Sequence, residues 1–166
     1  MEFILQDRTT QCSPRERTRF KLDMLLKNRL GTSASDFSFV TSEQKQADLY
    51  TIQSPLLLLC FYNPDGTACK ETTTYLRQSS IIDPLIKKGQ LTVLAVYTDQ
   101  DTKTWRTHLS DIQANWIKAY DEGMYITKKR LYNLRAIPCL CMLDKDKWVL
   151  LKDLDIRRLE VFLQGK

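Results

Sequence analysis

Cys69 is the side chain best placed for chemistry. It follows a turn, Asn63-Pro64-Asp65-Gly66, which itself follows an apolar run, Leu56–Tyr62. A buried strand that feeds a helix with a thiol in its first turn is the geometry of thiol–disulfide chemistry. Free N–H groups and about half a positive charge at the helix start favour the thiolate. The spacing therefore predicts a lowered pKa for Cys69. Disulfide exchange normally uses a second thiol, in the pattern C-x-x-C, and here Gly66 holds the first place. Glycine offers no nucleophile, so ordinary dithiol turnover is expected to be lost. Loss of the neighbouring side chain is also expected to uncover Cys69.

Other reactive residues point to less. The five cysteines, at 12, 60, 69, 139 and 141, are an odd number and no disulfide framework. Cys60, Cys139 and Cys141 lie in apolar runs, where cysteine is a small buried hydrophobe. Cys12 is incidental. His108, beside Arg106 and Thr107, reads as a surface residue without an evident cysteine or carboxylate partner. Asp144-Lys145-Asp146-Lys147 fails as a calcium loop, with Trp148, Val149 and Asp155 at three discriminating positions. No Cys/His set has metal-ligand spacing, so neither metal nor cofactor is expected. A peroxidase signature, P-x-x-x-T-x-x-C, would need proline at Tyr62 and threonine at Gly66.

The elements that must hold Cys69 follow from pattern. Leu56–Phe61 is too short to span a membrane and too continuous for a one-sided strand, so it predicts a central strand covered on both faces. Pro64 ends it. Ser13-Pro14-Arg15-Glu16 is a helix start with a capping box, and Gly31 closes that helix. Asp36–Val40 and Ala47–Ile52 predict a β-hairpin. After Cys69 a helix runs to about Ser80. Asp83-Pro84 interrupts it, and Lys87-Lys88-Gly89 ends it. Leu91–Tyr97 is a second buried strand. Asp99 or Asp101 caps a helix with Trp105, Leu109 and Ile112 inward. Trp116–Tyr120 is a short strand and Ile126–Leu134 a helix. Pro138–Leu143 and Trp148–Leu151 form a hairpin, and Asp155 caps a last helix.

FYNPDGTACKE resembles the active-site segment, N-P-D-C-x-x-C-K after a strand, of extracytoplasmic bacterial thiol–disulfide oxidoreductases of the TlpA/ResA type, in the thioredoxin-like superfamily. LYNLRAIPCLCML, at 131–143, resembles the stretch holding that family's cis-proline. The resemblance covers roughly Gly31–Lys166. It implies a thioredoxin-like three-layer α/β/α fold with a central mixed sheet, preceded by an N-terminal helix and β-hairpin. Residues 1–35 would be tail and helix, and 36–166 the thioredoxin-like domain. Carried over by residue, Gly66 stands at the attacking position and Cys69 at the resolving one. Pro138 is the cis residue bordering the site. Tyr62, Asn63, Asp65, Gly66 and Ile137 shape the mouth and meet the substrate. Cys139, beside Pro138, is a candidate replacement for the missing thiol or simply core.

Composition sets the class. The chain has 166 residues with 43% hydrophobic and 27% charged, which suits one soluble globular domain. The net charge of +5 comes from short basic clusters mixed with acids and apolar residues. No basic–aromatic stripe suggests nucleic acid. Met1–Leu5 lacks the basic region and apolar length of a signal peptide. The resemblance implies a periplasmic or otherwise extracytoplasmic location, with this chain a trimmed fragment. Two functions follow. One is a redox protein with a monothiol site, acting on a protein or peptide thiol or disulfide. The other is a binding module that holds a partner in the same groove without covalent chemistry. A third possibility is an altered Gly66 in an otherwise active dithiol protein.

Overall fold

The computed structural model describes residues 14, 15, 17–19, 22, 27–134 and 136–165. The described positions from 14 to 22 are helical, and the Thr18 hydroxyl donates to the Pro14 carbonyl at 2.9 Å. The capping pair Ser13 and Glu16 lies outside the described residues. Lys27 and Asn28 are already in a turn, so this helix stops short of Leu30.

Seven strands form one mixed sheet. They are β1 (Ser38–Thr41), β2 (Gln46–Asp48), β3 (Leu56–Tyr62), β4 (Leu91–Tyr97), β5 (Ile117–Tyr120), β6 (Cys139–Asp144) and β7 (Val149–Lys152). Their spatial order is β2-β1-β5-β4-β3-β6-β7. β3 runs parallel to β4 and antiparallel to β6, and β4 runs parallel to β5. The hairpin in front pairs Phe39 with Ala47. Its second arm is shorter than expected, because Leu49–Thr51 turns into a 3-10 helix.

β3 is central because every residue from Leu57 to Phe61 is fully buried. Each such leucine contributes about 1.5–3 kcal/mol by leaving water. Alternation then sorts the strand between two cores. Leu58, Cys60 and Tyr62 face one cluster, and Leu57, Leu59 and Phe61 face the other. The first face is covered by α1 (Thr67–Gln78), α2 (Ile82–Lys87), α3 (Thr102–Thr107) and α5 (Ile156–Gln164), through Leu76, Ile82, Trp105, Leu159 and Leu163. The second is covered by α4 (Tyr125–Lys128), through Ile126, and by Ala34, Phe37, Leu49 and Tyr132.

The helix expected over Ile126–Leu134 is only one turn long. Arg130 takes a left-handed φ of 53°. Its N–H reaches the Thr127 carbonyl, and the Leu131 N–H reaches that of Ile126. This is a Schellman closure, normally marked by glycine. The basic run Lys128-Lys129-Arg130 gives no such mark.

Candidate functional site

Strand, turn and helix deliver Cys69. Asn63 Oδ1 accepts from the Asp65 N–H at 3.0 Å, and the Gly66 N–H donates to the Asn63 carbonyl at 3.1 Å. These bonds fold the chain directly from β3 into α1, with Gly66 as its N-cap. Cys69 is the third residue of that helix. Its Sγ accepts from the Asn63 N–H at 3.3 Å.

Two expectations for this thiol are overturned. Cys69 is only 2% exposed, so the missing side chain at 66 does not uncover it. Its pKa is raised, not lowered. Burial dominates, and the Asn63 N–H offsets only part of it. The helix start cannot prevail once the sulfur turns inward beneath the strand's last residues.

Gly66 itself is not required by the backbone. Its φ of −82° and ψ of 134° suit any residue. A Cβ built there would sit 3.9 Å from Cys69 Cβ and 3.7 Å from Cys69 Sγ, with nothing closer than 3.5 Å. Disulfides place their Cβ atoms about 3.5–4.5 Å apart. A side chain at 66 would therefore stand within disulfide-bonding distance of Cys69.

Pro138 lies at the same end of the sheet. The last β3–β6 pair is Phe61 with Cys139, and one further step sets Pro138 across from Tyr62. The Ile137–Pro138 peptide bond is cis. Ile137 packs against both cores. The thiol beside Pro138 points elsewhere. Cys139 joins the core opposite to that of Cys69, and its pKa is raised by a hydrogen bond to Cys141 and by burial. The two faces of the sheet separate Cys139 from Cys69, so Cys139 is core and not a replacement thiol.

A cavity of about 20 Å³ borders Cys69, lined also by Tyr62, Pro64, Lys70, Thr73, His108, Asp111 and Ile112. His108 is thus a wall of the site and not an isolated surface residue. Its Nδ1 lies 2.8 Å from Asp111 Oδ2, and its Nε2 lies 3.8 Å from Asp65 Oδ1. Sequence reading missed this because α3 ends at Thr107, and a following 3-10 turn, Leu109–Asp111, swings both residues towards α1. The spacing His108-x-x-Asp111 was the one available signal.

The architecture has close counterparts. A thioredoxin-like protein from Bacteroides caccae matches with a TM-score of 0.86 and 38% identity, over 98% of this chain and 57% of that one. The C-terminal domain of an uncharacterized protein from Bacteroides fragilis matches at 0.81 and 37%, over 82% and 98% respectively. This chain belongs to the thioredoxin-like proteins.

Other thioredoxin-like domains agree in fold alone. One is a domain of a possible thiol-disulfide isomerase from Cytophaga hutchinsonii, with a TM-score of 0.72 and 22% identity over 84% of this chain and 94% of that one. No protein-family model and no curated protein matches the chain. Within the thioredoxin-like fold, Cys69, Gly66 and the turn before them occupy the join of central strand and first helix. No helix among the described residues is long and apolar enough to cross a membrane.

Proposed function

We propose that this thioredoxin-like chain exchanges disulfides through a single thiol, Cys69, at a dithiol site that has lost its first sulfur. The observation that carries this is the 3.9 Å between Cys69 Cβ and a Cβ built at Gly66. In the forward step Cys69 sulfur attacks a protein or peptide disulfide. A Cys69–substrate S–S bond forms, the original S–S bond breaks, and the departing sulfur takes the electron pair and a proton. With no thiol at 66 to resolve the mixed disulfide, a second external thiol must displace Cys69. Pro138 and Ile137 would border the substrate segment, with Tyr62, Asn63 and Asp65 at the mouth. Disulfide clients are plentiful outside the cytoplasm, which fits a periplasmic setting.

The burial of Cys69 favours a second reading, a groove that binds a partner without exchange. One experiment separates them. Mixed with a model disulfide and no added thiol, wild-type protein should stop at a stoichiometric Cys69 mixed disulfide, and with excess dithiol it should reduce insulin far more slowly than the Gly66→Cys variant. Gly66→Cys should confer turnover. A wild-type rate equal to the variant's would remove Gly66 as the disabling change. Absence of any Cys69 adduct would leave only the binding role.

A further inference from the structure

The exchange reading leaves one titratable pair at the site unused. His108 is the C-cap of α3, and Asp111 ends the 3-10 turn that follows. Arg77, in the last turn of α1, donates from Nη1 to the Asp111 carbonyl at 3.0 Å. The turn carrying the pair is therefore fastened to the helix carrying Cys69. The cavity between them has Cys69 and Thr73 among its α1 walls and His108 and Asp111 among those opposite. Its volume of about 20 Å³ admits one water molecule.

We propose that His108, oriented by Asp111, is the proton-transfer partner of Cys69, reaching it across the small cavity that both residues line. The assignment rests on the monothiol reading of Cys69. With Nδ1–H donated to Asp111, a neutral imidazole keeps its lone pair on Nε2. The Cys69 proton passes through the cavity to Nε2. The electron pair left on Sγ attacks one sulfur of the substrate disulfide, and the S–S bond breaks. The departing sulfur is then protonated from Nε2–H, which restores the neutral ring. A thiol held protonated by burial is the kind of nucleophile that needs such a base. The ionisable groups around the ring are Asp65 from the turn before α1, Asp111 from its own turn, and Lys70, Cys69 and Tyr62 across the cavity.

The test is the rate of Cys69 alkylation by iodoacetamide between pH 5 and pH 10, with each cysteine followed by mass spectrometry. The wild-type profile should show an inflection below the rise due to the thiol itself. His108→Gln should abolish that inflection and slow labelling at pH 7 by about tenfold or more. Added free imidazole should restore part of the rate to His108→Ala. Asp111→Asn should move or remove the inflection. Coincident profiles for wild type and His108→Gln would overturn the role of His108 and leave monothiol exchange standing. No labelling of Cys69 in either protein while both remain folded would overturn both.

Discussion

Gly66 and Cys69 show how far residue identity decides chemistry. Glycine at 123 serves a left-handed φ of 81°, but glycine at 66 serves no conformation that cysteine could not adopt. Glycine at 66 is therefore not a folding requirement. Cys69 was legible as a thiol at a helix start. Its environment was not, because burial depends on which way the third helical residue turns under the strand. Cys69 should still react ahead of Cys60 and Cys139. Cys60 is fully buried and its pKa is raised by that burial, while Cys139 is held up by its bond to Cys141 and by burial. Alkylation of the folded protein should thus mark Cys69 before Cys60 or Cys139, faster as pH rises and the thiolate fraction grows. Earlier labelling of Cys139, which is 7% exposed against 2% for Cys69, would show that access and not its hydrogen bond to Cys141 sets the order. Across from Tyr62 at the end of β4, Tyr97 is pushed up to about 12, mainly by burial and then by Asp99 and Asp101, so it stays a neutral phenol between pH 5 and pH 10.

Elements were readable where punctuation is conventional. Asp101 and Asp155 each accept from the backbone N–H three residues on, at 3.2 and 2.8 Å, as capping residues should. Gly89 and Arg130 make the clearest contrast. Both close a helix with the same two hydrogen bonds, Gly89 to Ile86 with Gln90 to Leu85, and Arg130 to Thr127 with Leu131 to Ile126. Both have left-handed φ, 74° and 53°. Only the glycine announces its role in the sequence, so α2 ended where expected and α4 did not. Because nothing lies within 4 Å of a Cβ built at Gly89, Gly89→Ala tests conformation alone. It should cost about 1 kcal/mol in chemical denaturation. A neutral effect would show that the αL position is not under strain.

For the whole molecule, the apolar runs at Leu56–Tyr62 and Leu91–Tyr97 carried the architecture, since continuous burial on two faces leaves few alternatives. What they could not convey was how the chain before β1 joins the rest. The Gly31 N–H donates to Val149, Val149 donates to Thr32, and Ser33 bridges Trp148. Ala34 enters the second core. Asn28 ties this segment across the molecule, its Nδ2 donating to the Leu131 carbonyl at 2.7 Å. Lys147, expected in the polar turn of the last hairpin, is 3% exposed and donates to the Ile52 carbonyl at 2.7 Å.

The run from Gly31 to Ala34 has a colloidal consequence. A terminal strand with bare amides is a template for pairing with another molecule. At one margin β2 offers only three residues, one exposed and two half-exposed, too few to recruit a neighbour. At the other, β7 is shielded by its own upstream chain. Protein begun at Asp36 would lose that shield and should self-associate, as light scattering would report, at concentrations where the full chain does not. A quiet truncated sample would mean that the shield is dispensable for solubility.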